Sequence, residues 1–182
     1  GYRSEITTEG TKTIITNTYE PETKDLTVTK IWDDQNDQDG KRPAFVTIAL
    51  LANNTQIKTV TLSESNNWKG EIKDLPVYQN GEEITYLFRE LELPEGYSAT
   101  YEDGANTVIT NHYDPNVKNL MIRKVWEDTL NQDGLRPESI AVQINANDTL
   151  YEVVTLFEEN HWETQLTNLP VYEDGEEIEY TA

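Results

Sequence analysis

The chain of 182 residues has no cysteine, so no disulfide can reinforce it and redox chemistry at thiols is excluded. It has no apolar run near the roughly 20 residues that a membrane-spanning helix needs, and its mean hydropathy is -0.71. Basic residues are scarce: 14 stand against 34 acidic ones, a formal charge of -20. Such a surface repels phosphate backbones, which excludes nucleic acid as a partner. No stretch keeps amphipathic helix spacing over a useful length. Neither a signal peptide nor a wall-anchoring tail is visible, so the expectation is an internal piece of a longer protein. There is no Ser/His/Asp arrangement and no phosphate loop, and paired acids such as Glu82 and Glu83 read as solvated charge.

What is present is a repeat. Residues 26–43, LTVTKIWDDQNDQDGKRP, return at 120–137 as LMIRKVWEDTLNQDGLRP, 94 positions later. Residues 1–21 match 96–115 with one insertion, so Asn17 precedes Asn111 by the same interval. These matches predict three parts: 1–21, the closing strand region of a preceding repeat; 22–115, a complete repeat; and 116–182, the first part of the next. The junctions, led by Pro21 and Pro115, lack Gly/Ser linkers and suit a stiff rod.

Within 22–115, short extended segments end at turn residues: 26–32, 46–50, 57–62, 68–73, 84–90, 97–101 and 106–113. Seven or so short strands with regular turns read as an all-β sandwich. At a period of two, Leu26, Val28, Lys30 and Trp32 share one face, as do Leu120, Ile122, Lys124 and Trp126. A lysine held twice among apolar neighbours must be paired, neutral or reacted, because an uncompensated buried ammonium is costly. Ile84, Tyr86, Phe88 and Glu90 share another face, and Thr107, Ile109, Asn111 and Tyr113 a third. Thr13, Ile15, Asn17 and Tyr19 repeat that last pattern. Lys30, Glu90 and Asn111 thus point inward from separate strands. Periodicity alone leaves two readings open: a buried ion pair beside an amide, or a reactive set.

Further motifs bear on that choice. Tyr86-x-x-x-Glu90-x-x-x-Pro94-x-Gly96-Tyr97 resembles the E-box of Gram-positive pilins and adhesins. Together with Lys30-Ile31-Trp32-Asp33-Asp34, residues 36–43 and Ile109-Thr110-Asn111, the whole chain resembles the Cna protein B-type domain. That resemblance implies a Greek-key sandwich of reversed-immunoglobulin or prealbumin-like type, in tandem, with an intramolecular isopeptide bond. Carried across, Lys30 is the nucleophile, Asn111 the electrophile and Glu90 the catalytic acid/base. It implies no enzyme beyond one autocatalytic turnover, no cofactor, and a stalk segment of a cell-wall-anchored extracellular adhesin. A matrix-binding module and a pilus-like subunit are the alternatives.

Asn17 lacks a lysine and glutamate of its own, and Lys124 lacks a glutamate and asparagine, so both are expected to be unpaired crosslink-type positions. The expected partners are neighbouring repeats, with head-to-tail exchange in which residues 11–19 of one chain join 116–182 of the next. No membrane insertion is expected.

Asp33, Asp34, Asn36, Asp37 and Asp39 lie in a turn-like loop whose spacing does not match an EF-hand, so no metal is expected. His112 and His161 read as surface residues, and the four tryptophans, recurring at the repeat interval, as core.

Overall fold

The computed structural model describes residues 1–182. In chain order the strands are β1 (Arg3–Glu9), β2 (Lys12–Thr18), β3 (Thr23–Asp33), β4 (Phe45–Ala52), β5 (Thr55–Ser63), β6 (Lys69–Pro76), β7 (Tyr78–Gln79), β8 (Glu82–Glu83) and β9 (Tyr86–Glu90). They continue with β10 (Ser98–Glu102), β11 (Asn106–His112), β12 (Val117–Arg123), β13 (Ser139–Ala146), β14 (Thr149–Phe157), β15 (Glu163–Pro170), β16 (Tyr172–Glu173), β17 (Glu176–Glu177) and β18 (Tyr180–Thr181). Three short 3-10 turns are the only helical pieces. No helix is long and apolar enough to cross a membrane.

The chain divides into two compact units. In the first, a four-stranded sheet of order β10-β11-β3-β6 faces a three-stranded sheet of order β5-β4-β9. Alternation supplies the core between them. Leu26 and Val28 come from β3, Val46, Ile48 and Leu50 from β4, and Phe88 from β9, each 5% exposed or less. Ile109 of β11 is fully buried and completes that cluster. This is the all-β sandwich that the turn spacing predicts.

The first and last strands of this sandwich are neighbours, and they run parallel. Thr27 N–H donates to the Ala105 carbonyl at one end, and Tyr113 N–H donates to the Asp33 carbonyl at the other. Both partners advance together along the sequence, as a parallel ladder requires. The loop at residues 77–85 holds one further device. It is a two-rung ladder of β7 and β8 closed at Gly81, whose φ of 84° suits glycine.

The second unit comprises Asp33–Arg42, Pro94–Gly96 and His112–Ala182. Its sheets are β12-β15 and β14-β13-β18. Its core cluster contains Ile122, Ile144, Val154 and Leu156, with Trp162 and Tyr180 packed against it. Here β12 has a neighbour on one side only, whereas β3 lies between β6 and β11.

Strands β1 and β2 form a hairpin with registered pairs from Arg3↔Thr18 to Glu9↔Lys12. Every residue in it is exposed, including Ile6 at 66% and Ile15 at 65%. The inward alternation read into Thr13, Ile15 and Asn17 therefore has no core beneath it. A hairpin alone buries neither face.

Candidate functional site

Three strands deliver three polar side chains into the dry interior of the first unit. In β3 the β-branched alternation Thr27-Val28-Thr29 sets an extended backbone, and the pleat turns Lys30 to the same side as Leu26 and Val28. Lys30 ends 3% exposed. In β9, Glu90 is paired in register with Ile48 of β4, which places its carboxylate over the core. On β11, Asn111 lies one pleat repeat beyond Ile109, and both are 0% exposed.

These groups meet. Lys30 Nζ lies 3.7 Å from Glu90 Oε2, with both side chains 1% exposed or less. Asn111 Nδ2 donates to Glu90 Oε1 at 3.2 Å. The Trp32 ring, two residues along the same face, has its centroid 4.4 Å from Lys30 Nζ. Trp68 and Tyr97 pack edge-on against Trp32, with centroids at 5.1 and 5.3 Å. The amine thus lies against aromatic carbon as well as against the carboxylate.

Burial raises the Glu90 carboxyl above its ordinary value, and that effect outweighs the lowering by Lys30 and by the Asn111 hydrogen bond. Passing one proton from an ammonium to a carboxylate across the pair would leave an amine and a carboxylic acid. Both are cheaper to hold in a low dielectric than two charges. Asn111 Oδ1 is buried without a hydrogen-bond partner. A protonated Glu90 is the group at hand that could donate to it. The set can therefore offer a nucleophile, a proton donor and an electrophilic carbonyl carbon in one water-poor space.

Lys124 and Asn17 are placed differently. β12 ends at Arg123, one residue before Lys124, and Lys124 is exposed. With no strand on the far side of β12, nothing covers the position that β11 covers in the first unit. Asn17 is exposed on β2, where the Ser4 hydroxyl donates to its Oδ1. Neither residue meets a carboxylate-bearing partner of the Glu90 kind.

The acidic loops have structural partners. Asp34 is 1% exposed and takes the Arg42 guanidinium on both oxygens, at 3.0 and 2.6 Å, as well as the Asp37 N–H. Asp128 and Arg136 form the same fork in the second copy. Asp39 accepts from Tyr113 Oη, Asn116 N and Asn116 Nδ2 through a single oxygen. These bidentate pairs fix the loop, and no cluster of three or more His, Cys, Asp or Glu is placed to hold a metal. The sequence reading gave Arg42 no role; its recurrence as Arg136, eight residues after an aspartate, was the available signal.

The tryptophans repeat their packing as well as their spacing. Trp126 meets Trp162 at 5.1 Å, as Trp32 meets Trp68. His112 Nδ1 lies 2.9 Å from Asp33 Oδ2 at the surface.

Comparison with known proteins gives three concordant findings. The family model of the Cna protein B-type domain matches residues 26–112 and 120–182. A collagen adhesin of Staphylococcus aureus is 38% identical over 181 residues, which is 98% of this chain and 15% of that protein. The crystal structure of two B repeat units of the collagen binding protein of Staphylococcus aureus superposes with a TM-score of 0.83 at 37% identity. That match covers 99% of this chain and 48% of the other. This chain therefore spans under a sixth of the adhesin's length.

Proposed function

Starting from a chain that belongs to the family of Cna protein B-type domains, we propose that it is a stalk segment of a Gram-positive surface adhesin, stapled by an amide between Lys30 and Asn111. In this reading residues 22–115 are one complete repeat. Residues 1–21 belong to the repeat before it and 116–182 to the repeat after. The observation that carries the proposal is the buried contact of Lys30, Glu90 and Asn111 across β3, β9 and β11.

The chemistry balances within those three residues. Neutral Lys30 Nζ attacks Asn111 Cγ while Glu90 protonates Oδ1. The tetrahedral species collapses as Oδ1 returns its proton to Glu90 and the proton lost by Nζ reaches Nδ2 through the same carboxyl, which restores the carbonyl. One C–N bond forms, one breaks, and ammonia leaves. Holding the groups together in the folded core replaces a bimolecular encounter. Glu90 ends as it began, but Lys30 and Asn111 are consumed, so the event is a single turnover and not an enzymatic cycle. The amide also removes the buried charge of Lys30.

Parallel pairing of the first and last strands gives the crosslink a mechanical meaning. Tension entering at the start of β3 and leaving at the end of β11 pulls these strands along each other. An amide between them carries that load directly, and the intervening residues cannot extend. In single-molecule stretching, the parent should hide residues 31–110 from extension, whereas Lys30→Ala should release them. Equal extension of folded parent and variant would defeat the stalk mechanism.

A finer partner proposal concerns the uncovered edge of β12. Residues 13–19, TIITNTY, resemble 107–113, TVITNHY, and the latter contain the strand that covers β3. Strand addition from a second copy would set Asn17 beside Lys124 in a noncovalent contact. Ultracentrifugation with and without residues 1–19 tests it. A monomer in both cases rejects strand exchange.

A further inference from the structure

A groove on the first unit has a counterpart on the second that a loop already lines on one side. Ala52, Ile57, Pro76, Tyr78, Ile84 and Tyr86 line an apolar groove at the end of the first sandwich. Each has its match 94 positions later: Ala146, Tyr151, Pro170, Tyr172, Ile178 and Tyr180. These six line a groove in the second unit that Gln35, Asn36 and Gln38 also line. The seat is close. Gly175 N–H donates to the Gln38 carbonyl at 3.1 Å, and a Cβ on Gly40 would lie 2.7 Å from Gly175 Cα.

Burial differs at two of the six matches: Pro170 and Tyr172 are half-buried, while Pro76 and Tyr78 are exposed. Gly81, the match of Gly175, has nothing within 4 Å of its Cβ position. The loops differ in the same sense: Gln38 and Asp39 are covered, whereas Gln132 and Asp133 are exposed. At the position of Asn36, the second loop carries Leu130. That leucine is 94% exposed and has a φ of 58°, a conformation costly for leucine. Leu135 beside it is 83% exposed. Exposed leucines on a strained turn are poor solvent-facing chemistry, but they suit an apolar groove lined by isoleucine and tyrosine.

We infer that the groove of the first unit is a docking site for the loop at residues 128–136 of a second copy of this chain. The loop seats there as Asp33–Arg42 seats on the matching groove, with Leu130 in the position of Asn36, which lines that groove. The contact is heterologous, since loop and groove are different surfaces, and it therefore propagates head to tail. It needs neither the Lys30–Asn111 amide nor exchange of strand β2. Between separate molecules so small a contact is weak, and two strongly acidic copies repel. Salt should therefore strengthen it by screening. Joining repeats in one chain raises the effective concentration.

The absence of cysteine makes the test clean. Gln38 and Glu173 both line the groove of the second unit; their matches are Gln132 and Gln79. Full-length Gln132→Cys and Gln79→Cys, mixed at high concentration and salt, should form a heterodisulfide several-fold faster than Gln132→Cys mixed with Lys73→Cys. Lys73 is exposed on β6, away from the groove. Adding Leu130→Asp to the Gln132→Cys chain should abolish the difference, and aspartate tolerates the left-handed backbone there. Equal rates for the two mixtures would overturn the inference. So would acceleration that survives Leu130→Asp, including acceleration lost only on deleting residues 1–19, which would assign the association to strand exchange.

Discussion

Glu90→Gln should yield a folded chain whose intact mass equals its sequence mass, while the parent falls short by one ammonia. Glutamine keeps the shape of Glu90 and its contact with Asn111 Nδ2, but it cannot protonate Oδ1 or relay the Nζ proton to the leaving nitrogen. What it removes is proton transfer, in a core whose side chains are closed to solvent. General acid–base groups contribute about 10²–10⁴-fold, enough to turn a reaction completed during folding into one barely begun. Buried Lys30 would also lose its counter-charge, so removing the carboxylate destabilises as well. Circular dichroism must therefore accompany the mass. A folded Glu90→Gln chain that still lacks one ammonia would remove Glu90 from the chemistry. A parent at full sequence mass would remove the amide itself.

The three residues of this site are legible in the sequence because strand periodicity is strict. Lys30 follows Leu26 and Val28 by steps of two, and Asn111 follows Thr107 and Ile109, so one pleat assignment fixes each. Glu90 is conspicuous because it stands where Tyr86 and Phe88 predict another apolar side chain. Contact distance is not carried by period, and the register Ile48↔Glu90 belongs to tertiary pairing. The same rule misleads at Lys124 and Asn17. Their spacing calls for burial, but burial needs a covering layer, and here β12 lacks a second neighbour and the β1–β2 hairpin lacks a core. The Arg42–Asp34 fork is not legible in the sequence for a different reason. Asp34 sits in a polar turn, where a sequence offers many acids and no period to choose among them.

The second large effect is on stability. Asn111→Ala should lower the melting temperature of the first unit by roughly 18–36 °C, taking the 4–8 °C per kcal/mol of a domain this size. A crosslink acts mainly on the unfolded chain, and closing a loop of about 80 residues is worth about 4.5 kcal/mol by the chain-entropy relation. Asn111→Ala is the better variant for isolating that term, because Lys30 and Glu90 remain to neutralise each other at 3.7 Å. Lys30→Ala would instead leave Glu90 buried without its cation. Loss of one side-chain hydrogen bond from Asn111 adds only about 1 kcal/mol.

Denaturant dependence separates the crosslink from packing. A stapled chain unfolds to a more compact ensemble and exposes less surface, so its m-value is small. Removing the staple should steepen the transition as well as shift it, whereas a packing defect shifts the midpoint at constant slope. A parent and an Asn111→Ala variant with equal m-values and midpoints separated by only a degree or two would mean that no covalent tie joins β3 to β11.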